Sequence, residues 1–204
     1  MNILLVSCSP RGQTAESYLL AQNIVGFLLR SKPAGTLTER VIGSAAMPHI
    51  DAEYALAQRS PQSGTAGDGS LHYSEQLIQE LELADAVVIG TPMHNLTVPS
   101  ALKAWIDHVV RAGRTFTVGQ EGKRGGLRDR PVFVAVASGG RYSGERARQP
   151  DFLTPYLKAI LGTVGLHDVT FFSVQGTGLG PDAIAEARAN ADQALQAHFS
   201  GTSV

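Results

Sequence analysis

The 204-residue chain contains a single cysteine, Cys8, and its 17 Lys and Arg nearly balance its 18 Asp and Glu, for a formal net charge of −1. One cysteine cannot form a disulfide within the chain, and we therefore expect a reducing compartment, the cytoplasm. The near-neutral charge argues against nucleic-acid binding, which needs a basic surface to neutralise phosphates. No apolar run approaches the roughly 18 residues of a membrane-spanning helix, so we expect no membrane association.

Common nucleotide and metal motifs are missing as well. The stretch SPRGQTAES (9–17) follows an apolar run, but it has neither the Gly-Lys-Ser/Thr ending of a nucleoside-triphosphate loop nor the GxGxxG of a dinucleotide site. No two of the six histidines have HExxH spacing, which argues against zinc. Cys8 has no neighbouring histidine, and we expect a packed thiol rather than a nucleophile. The GxSxG motif of esterases is also absent.

Short apolar runs alternate with amphipathic segments along the whole chain. Because four of these runs are continuously apolar, they predict strands that are covered on both faces, whereas a weaker fifth run predicts an edge strand. Helical stripes lie between the runs, and residues 60–70 are expected to form a surface loop. The pattern predicts one domain over residues 1–204, an α/β fold with a doubly wound, five-stranded parallel sheet and helices on both faces. The predicted strands are 3–7, 84–90, 131–138 and 168–174, with 36–43 at the edge.

Local signals predict where several of the helices begin and end. Thr154 is the expected N-cap of a helix with Pro155 in its first position and Gly165 at its end. Gly113 is expected to close a helix whose buried stripe is Leu102, Ile106 and Val109. A proline also opens the last helix, which runs to the C-terminus.

Three unusual loops follow the strongest strands, and in such folds ligands bind at the carboxyl ends of strands. The loop 9–17 precedes a helix, so its free N–H groups and the hydroxyls of Ser9, Thr14 and Ser17 favour a phosphate. The alternative is that Ser9 and Ser17 only cap the helix and Arg11 is solvated. The loops TPMHNLTVPS (91–100) and SGGRYSG (138–144) are suited to the two edges of a flat ring. Together the three loops predict a flavin mononucleotide (FMN) site.

Five segments resemble the FMN-dependent NADH-azoreductase family, also described as NAD(P)H:quinone oxidoreductases of flavodoxin-like fold: SPRG…S after the first strand, PMHN, VPSALKAWIDHVVRAGRTF, SGGRY and PYLKAILGTVGLHDVTFF. The resemblance implies a flavodoxin-like fold and a homodimer with two FMN sites near its interface. It also implies that hydride passes from NADH or NADPH to FMN, and that two electrons then pass to a quinone or azo substrate in ping-pong turnover. If the backbone amides of Met93 to Leu96 face the flavin ring, the side chain at position 94 points towards the substrate, where the imidazole of His94 would act catalytically by donating a hydrogen bond to a quinone oxygen.

The resemblance also assigns the cofactor-binding residues. For the phosphate they are Ser9 and Ser17 with the amides of Ala15 and Glu16, and for the ring they are Pro92, Met93, His94, Asn95, Leu96, Ser138, Gly139, Gly140 and Tyr142. The chain departs from the family pattern at four of these positions, Ala15, His94, Leu96 and Ser138. The first departure weakens the phosphate contacts by about one hydrogen bond, worth ~1 kcal/mol, and the others alter the substrate pocket.

Several alternatives stay open from the sequence. A flavodoxin-like electron carrier would hold FMN without turnover, although an extra loop at 115–126 is expected to form a substrate lid instead. His94 is equally well explained as a turn residue that faces solvent. His108 and Trp105 are expected to pack, although the helix 99–112 is expected to leave Trp105 and Val110 apolar and free for a partner subunit.

The sequence allows two interpretations of a group of arginines, Arg141, Arg146 and Arg148. The group suits the phosphates of NAD(P)H, or it forms a solvated surface.

Overall fold

A computed structural model describes residues 1–43, 47–57 and 71–201. Five parallel strands form its sheet: β1 (Asn2–Ser7), β2 (Thr36–Val41), β3 (Ala86–Pro92), β6 (Val132–Ser138) and β7 (Val169–Gln175). Their spatial order is β2-β1-β3-β6-β7, which is the flavodoxin-like order and confirms the predicted sheet. The loop predicted for 60–70 lies outside the described residues.

The burial of each strand follows from its place in the sheet. The apolar side chains of β1, β3 and β6 are buried on both faces, as their continuously apolar sequences predict. The strand β2, in contrast, is exposed along most of its length and lies at one edge, as expected. The strand β7 was predicted to be covered on both faces, but it forms the other edge and is only half-buried, because it has a neighbouring strand on one side only. The three central strands therefore hold the loops that follow them on a rigid base.

Helices cover both faces of the sheet. One face packs against α1 (Glu16–Ser31) and α6 (Pro181–Ser200). The other face packs against α3 (His72–Leu83), α4 (Ser100–Val109) and α5 (Leu153–Val164), and a short helix, α2 (Ala52–Ala57), precedes α3. No helix in the described ranges is both long enough and apolar enough to cross a membrane.

Two predicted helix boundaries are wrong, and two are confirmed. The helix α5 begins at Leu153 because the Asp151 carboxylate, rather than Thr154, accepts the first N–H groups, those of Leu153 and Thr154, at 3.0 and 2.9 Å. The helix α4 ends at Val109, several residues before Gly113, because the Thr115 hydroxyl donates to the Val109 carbonyl and accepts from the Arg111 N–H. The predicted end of α5 is confirmed, since Gly165 has a left-handed φ of 103°, and so is the proline at the start of α6.

The expected loop at 115–126 is an antiparallel hairpin of β4 (Phe116–Gly119) and β5 (Gly122–Gly125). Ion pairs fix the turn that leads into it. The Arg111 and Arg114 guanidinium groups both contact the Glu75 carboxylate of α3, and Arg114 also contacts Glu82. The role of the hairpin as a lid stays a prediction.

The helix α4 does not offer the apolar surface that its sequence predicted. Trp105 is 1% exposed and packs in the core of its own chain, and Val110 is half-buried against that core. The segment around Pro48 and Tyr54 contacts α4 at His108 and at the Asp107 carbonyl. The sequence pattern of α4 alone gave no sign of this segment.

Candidate functional site

The loop after β1 leads into α1 through a 3-10 turn at Gly12–Thr14. Ala15 occupies the N-cap position of α1 in an extended conformation, and no side chain of the described residues caps the helix. The alternative in which Ser9 and Ser17 only cap the helix is therefore wrong. Since the first N–H groups of a helix have no intrahelical acceptors, this uncapped end favours an anion.

The three hydroxyl groups predicted for the phosphate differ in their surroundings. The Ser17 side chain is fully buried, and its Oγ has no hydrogen-bond partner among the described residues. Ser9 is also buried, and its Oγ accepts the Arg11 N–H at 3.2 Å. The exposed Thr14 hydroxyl instead donates to the Arg11 carbonyl at 3.0 Å. Thr14 is thus occupied by its own turn, whereas Ser17 has an unused donor.

An ion pair adjusts the charge at this helix end. The Glu16 carboxylate contacts Arg188 of α6 at 2.9 and 2.6 Å. The hydrogen bonds from Arg188 hold the pKa of Glu16 below its ordinary value, so the side chain is ionised and paired. The negative charge of Glu16 is thereby offset close to the expected position of a phosphate.

The loop after β3 makes a tight turn at residues 94–97. The His94 N–H donates to the Thr97 carbonyl at 2.9 Å, and the Thr97 N–H donates back at 3.0 Å. The central residues Asn95 and Leu96 have φ values of 48° and 70°, as in a type I′ turn. A left-handed leucine is strained by about 1–3 kcal/mol, and such strain is concentrated at functional sites.

The loop after β6 forms the facing wall. Ser138 is buried and its Oγ lies 3.8 Å from the Met93 sulfur, which joins this loop to the one after β3. Apart from its chain neighbours, no atom of the described residues lies within 4 Å of the position that a Cβ of Gly139 would take, so the space beside it is open. Tyr142 is buried, its N–H donates to the Gln175 side chain at 2.9 Å, and burial raises the pKa of its phenol to about 12.

The pairing of the strands brings the three loops together. Ser7 of β1 is paired with Gly90 of β3, and Pro92 of β3 is paired with Ala137 of β6. The loops that follow these strands therefore start side by side at the carboxyl edge of the sheet. The predicted residues are brought together as two groups, Ser9 to Ser17 at the helix end and Pro92 to Leu96 beside Ser138 to Tyr142.

These residues fit FMN on the evidence of their own contacts. The uncapped start of α1 and the unpartnered hydroxyl of Ser17 match a phosphate. The turn at 94–97 and the open space beside Gly139 provide two uncharged walls, as a flat ring requires. His94 and Asn95 are exposed at this edge, so their side chains are accessible to a small molecule.

The structure also changes which backbone amides are available. The Ala15 N–H donates to the Gly12 carbonyl at 3.1 Å, and the Met93 N–H donates to the Ala137 carbonyl at 2.8 Å. The His94 N–H is used within its own turn. The amides of Glu16 and Ser17, and those of the central turn residues Asn95 and Leu96, are better candidates for a ligand.

The predicted arginine group lies in the third loop and in the residues that directly follow it. Arg141 and Arg146 both pair with Glu186 of α6, and Arg148 donates to the Ala147 carbonyl. Arg141 and Arg146 line a cavity of about 550 Å³ between the outer edge of β7 and α6. None of the residues predicted for FMN lines this cavity, so it is separate from the three loops' candidate site.

His108 and Cys8 are packing residues, as predicted. His108 is buried, its Nε2 lies 2.9 Å from the Pro48 carbonyl, and Tyr54 and Tyr73 contact its ring edge-on. Cys8 is buried, and burial raises the pKa of its thiol although a hydrogen bond with Thr91 opposes the shift. Within the part of the chain that the structure describes, no group of three or more acidic, His or Cys side chains could hold a metal ion.

Sequence reasoning missed two residues that shape the site. Gln149 contacts both the Met93 and Ser138 side chains, and Arg188 neutralises Glu16. Gln149 follows a run of charged residues and Arg188 lies in a polar helix, so neither has a motif that would mark it. Only the tertiary structure places them beside the loops.

Comparison with known proteins identifies the class. The family model described as flavodoxin-like fold matches residues 1–199, so the chain belongs to that family. Among curated proteins, it is 49% identical over 197 residues to FMN-dependent NADH:quinone oxidoreductase 4 of Pseudomonas fluorescens, which covers 96% of this chain and 93% of the relative. It is also 46% identical over 186 residues to FMN-dependent NADH:quinone oxidoreductase 5 of Burkholderia lata, covering 90% and 88% of the two chains.

Solved structures agree with this fold. An azoreductase from Bacillus anthracis (strain Sterne) has a TM-score of 0.83 at 24% identity and covers 98% of this chain and 99% of its own. An FMN-dependent NADH-azoreductase from B. anthracis (strain Ames Ancestor), solved in complex with FMN, has a TM-score of 0.82 at 22% identity and covers both chains completely. At these identities the likeness shows the fold alone.

Proposed function

We propose that this protein is an FMN-dependent oxidoreductase that takes two electrons from NADH or NADPH and passes them to a quinone or azo compound. The names of its relatives support this activity. The structural observation that carries the proposal is the uncapped start of α1, where the buried Ser17 hydroxyl has no partner in the described chain. We also propose that residues 1–204 form a single domain.

The proposed phosphate site consists of Ser9 and Ser17 with the backbone N–H groups of the first turn of α1. Hydrogen bonds to a phosphate are charge-assisted, and the helix dipole adds to them. Of the two amides named from the sequence, that of Glu16 is retained and that of Ala15 is replaced by that of Ser17. The pairing of Glu16 with Arg188 limits the repulsion between carboxylate and phosphate.

The proposed ring site lies between the residues after β3 and those after β6. Pro92 to Leu96 form one wall, and Ser138, Gly139, Gly140 and Tyr142 form the other. When bound there, FMN would supply two-electron redox chemistry, which no side chain of the protein provides. The protein residues hold the ring, restrict water and orient the substrate.

The proposed role of His94 is to assist reduction of the acceptor. Its exposed side chain belongs to the first wall, at the first position of the strained turn. An imidazole N–H in this place can donate to a quinone oxygen as negative charge develops on it. NADH and the acceptor would use the same space in turn, which predicts ping-pong kinetics.

We also propose a homodimer in the cytoplasm. Phe152 is 58% exposed, and its N–H donates to the Leu96 carbonyl at 3.1 Å, so an apolar surface adjoins the proposed ring site. A second copy that covered Phe152 would remove this surface from water. Light scattering at micromolar concentration should give twice the chain mass, whereas a monomer mass would contradict the dimer.

Absorbance spectroscopy tests the activity. The purified protein, supplied with FMN and freed of excess, should show a flavin spectrum that NADH bleaches without oxygen and that benzoquinone restores. Free FMN with NADH is the control. Double-reciprocal plots with NADH and benzoquinone should give parallel lines, and intersecting lines would contradict the ping-pong step. A bound flavin that NADH never bleaches would favour the electron carrier, and a protein that ignores FMN would disprove the proposal.

A further inference from the structure

Gln149 lies in the segment between β6 and α5, outside all three loops of the proposed site. Its backbone position is fixed because the Arg141 carbonyl accepts the N–H groups of both Arg148 and Gln149, at 2.8 and 3.3 Å. These bonds close the 141–149 segment on itself. The Gln149 side chain is thereby directed back toward the end of β6.

The amide nitrogen of this side chain contacts both walls. Gln149 Nε2 lies 3.2 Å from the Ser138 Oγ and 3.2 Å from the Met93 sulfur. A primary amide nitrogen carries two N–H donors, so one group can serve both acceptors. Met93 belongs to the loop after β3 and Ser138 to the loop after β6, which makes Gln149 a physical link between them.

The amide oxygen occupies the space beside Gly140. A Cβ at position 140 would lie less than 3.0 Å from Gln149 Oε1, closer than real side chains approach. Any residue other than glycine at position 140 must therefore displace the Gln149 side chain. The contacts of Gln149 and the absence of a side chain at position 140 depend on each other.

We propose that Gln149 is a positioning residue that sets the distance between the two walls of the ring site. By holding Met93 against Ser138, it fixes the start of the strained turn at 94–97 relative to Gly139. The proposal deepens the proposed function and rests on it, because the gap between the walls matters only if a flat ring fills it. No contact of Gln149 with the ring itself is required.

The first test is FMN affinity. Loss of the amide in Gln149→Ala should raise the Kd for FMN by about tenfold, or ~1.4 kcal/mol, the scale of one or two neutral hydrogen bonds. The visible circular dichroism of bound FMN, which reports the surroundings of the ring, should change as well. Gln196→Ala is the matched control, since Gln196 is exposed on α6, and it should change neither signal. An unchanged Kd and spectrum in Gln149→Ala would overturn the proposal.

Gly140→Ala supplies a sharper test through a double-mutant cycle. If the new methyl displaces Gln149, the single variant should weaken FMN binding by about the same factor as Gln149→Ala. Adding Gln149→Ala to Gly140→Ala should then cost nothing further. Independent, multiplying effects on Kd would contradict the linkage between the two residues.

Hydrogen exchange on the FMN-free protein separates this proposal from the proposed function. In Gln149→Ala, the amides of Met93 and Thr97 and those of residues 139–142 should exchange faster than in the natural protein and in Gln196→Ala. This result would support the link even if FMN never bound. Unchanged exchange, or faster exchange in one wall alone, would overturn it whatever the flavin experiments show.

Discussion

At the scale of single residues, Ser17 is the most informative position. A buried hydroxyl without a partner costs about 1–3 kcal/mol, and the Ser17 hydroxyl, at the second position of α1, has no partner among the described residues. A ligand oxygen at the helix end would remove the cost. The Ser17 hydroxyl should therefore destabilise the FMN-free protein and stabilise the FMN-bound protein.

Ser17→Ala should therefore stabilise the FMN-free protein by about 1 kcal/mol and raise its Kd for FMN by tenfold or more, the scale of a hydrogen bond to a charged group. Chemical denaturation and FMN titration measure the two effects. Ser74→Ala is the control, because the Ser74 hydroxyl donates to the His108 carbonyl at 2.6 Å, and its loss should destabilise the protein without changing Kd. Ser17→Asp should abolish FMN uptake by repelling the phosphate. Unchanged FMN affinity in both Ser17 variants would remove this loop from the site.

The proposed role of His94 can be tested in the reoxidation of the bound, reduced flavin by benzoquinone. His94→Phe should leave FMN binding and bleaching by NADH nearly intact, because its own N–H is used within the turn. The rate constant for reoxidation by benzoquinone should fall about 10²-fold, the contribution of a positioned acid. Reoxidation at an unchanged rate would leave His94 as a turn residue only.

At the scale of elements, the junction of α3, α4 and the hairpin depends on one carboxylate. Glu75 contacts both Arg111 and Arg114, and its side chain is 17% exposed. Hydrogen bonds from Arg114, and then from Arg111, hold the pKa of Glu75 below its ordinary value of 4.5. Because the folded pKa is lowered, the stabilisation is present above pH 4.5 and is lost as the pH falls through the folded pKa.

Glu75→Gln should destabilise the protein at neutral pH by about 2 kcal/mol, because the buried Arg111 guanidinium loses its charged partner. The variant should also lose less stability than the natural protein as the pH falls below 4.5. Denaturation at several pH values measures both effects. Glu82→Gln is the matched control, since the Glu82 side chain is 39% exposed and its carboxylate pairs with the more exposed Arg114 rather than with Arg111, so its effect should be smaller. Equal pH dependence in Glu75→Gln and the natural protein would contradict the assignment.

At the scale of the whole molecule, ligand binding is linked to folding. FMN at 100 times its Kd should stabilise the folded chain by about 2.7 kcal/mol and raise its Tm by about 5–10 °C. Riboflavin, which lacks the phosphate, should raise the Tm much less at the same concentration because the start of α1 then stays without an anion. Thermal melts with each compound test this. Equal shifts from the two compounds would place the binding energy in the ring site alone.

The sequence by itself determined the five-stranded sheet, the alternation of strands and helices that builds it, and the three loops, but not the hairpin of β4 and β5. Continuous apolar runs can be buried only between two layers of helices, so β1, β3 and β6 and their carboxyl ends follow from local composition. Short motifs, such as the hydroxyl-rich turn before α1, were equally visible because each depends on neighbours in the chain.

Only the tertiary structure decided which side chains are buried and which backbone and side-chain groups already have hydrogen-bond partners. Trp105 was expected at a surface, but the segment around Pro48 and Tyr54 lies against α4. The Met93 amide was expected to face a ring, but it bonds to Ala137 of the neighbouring strand. Gln149 carried no signal at all, since its partners are 11 and 56 residues away in the chain. Hydrogen bonding and burial at these positions depend on contacts between distant segments, and local sequence patterns do not encode such contacts.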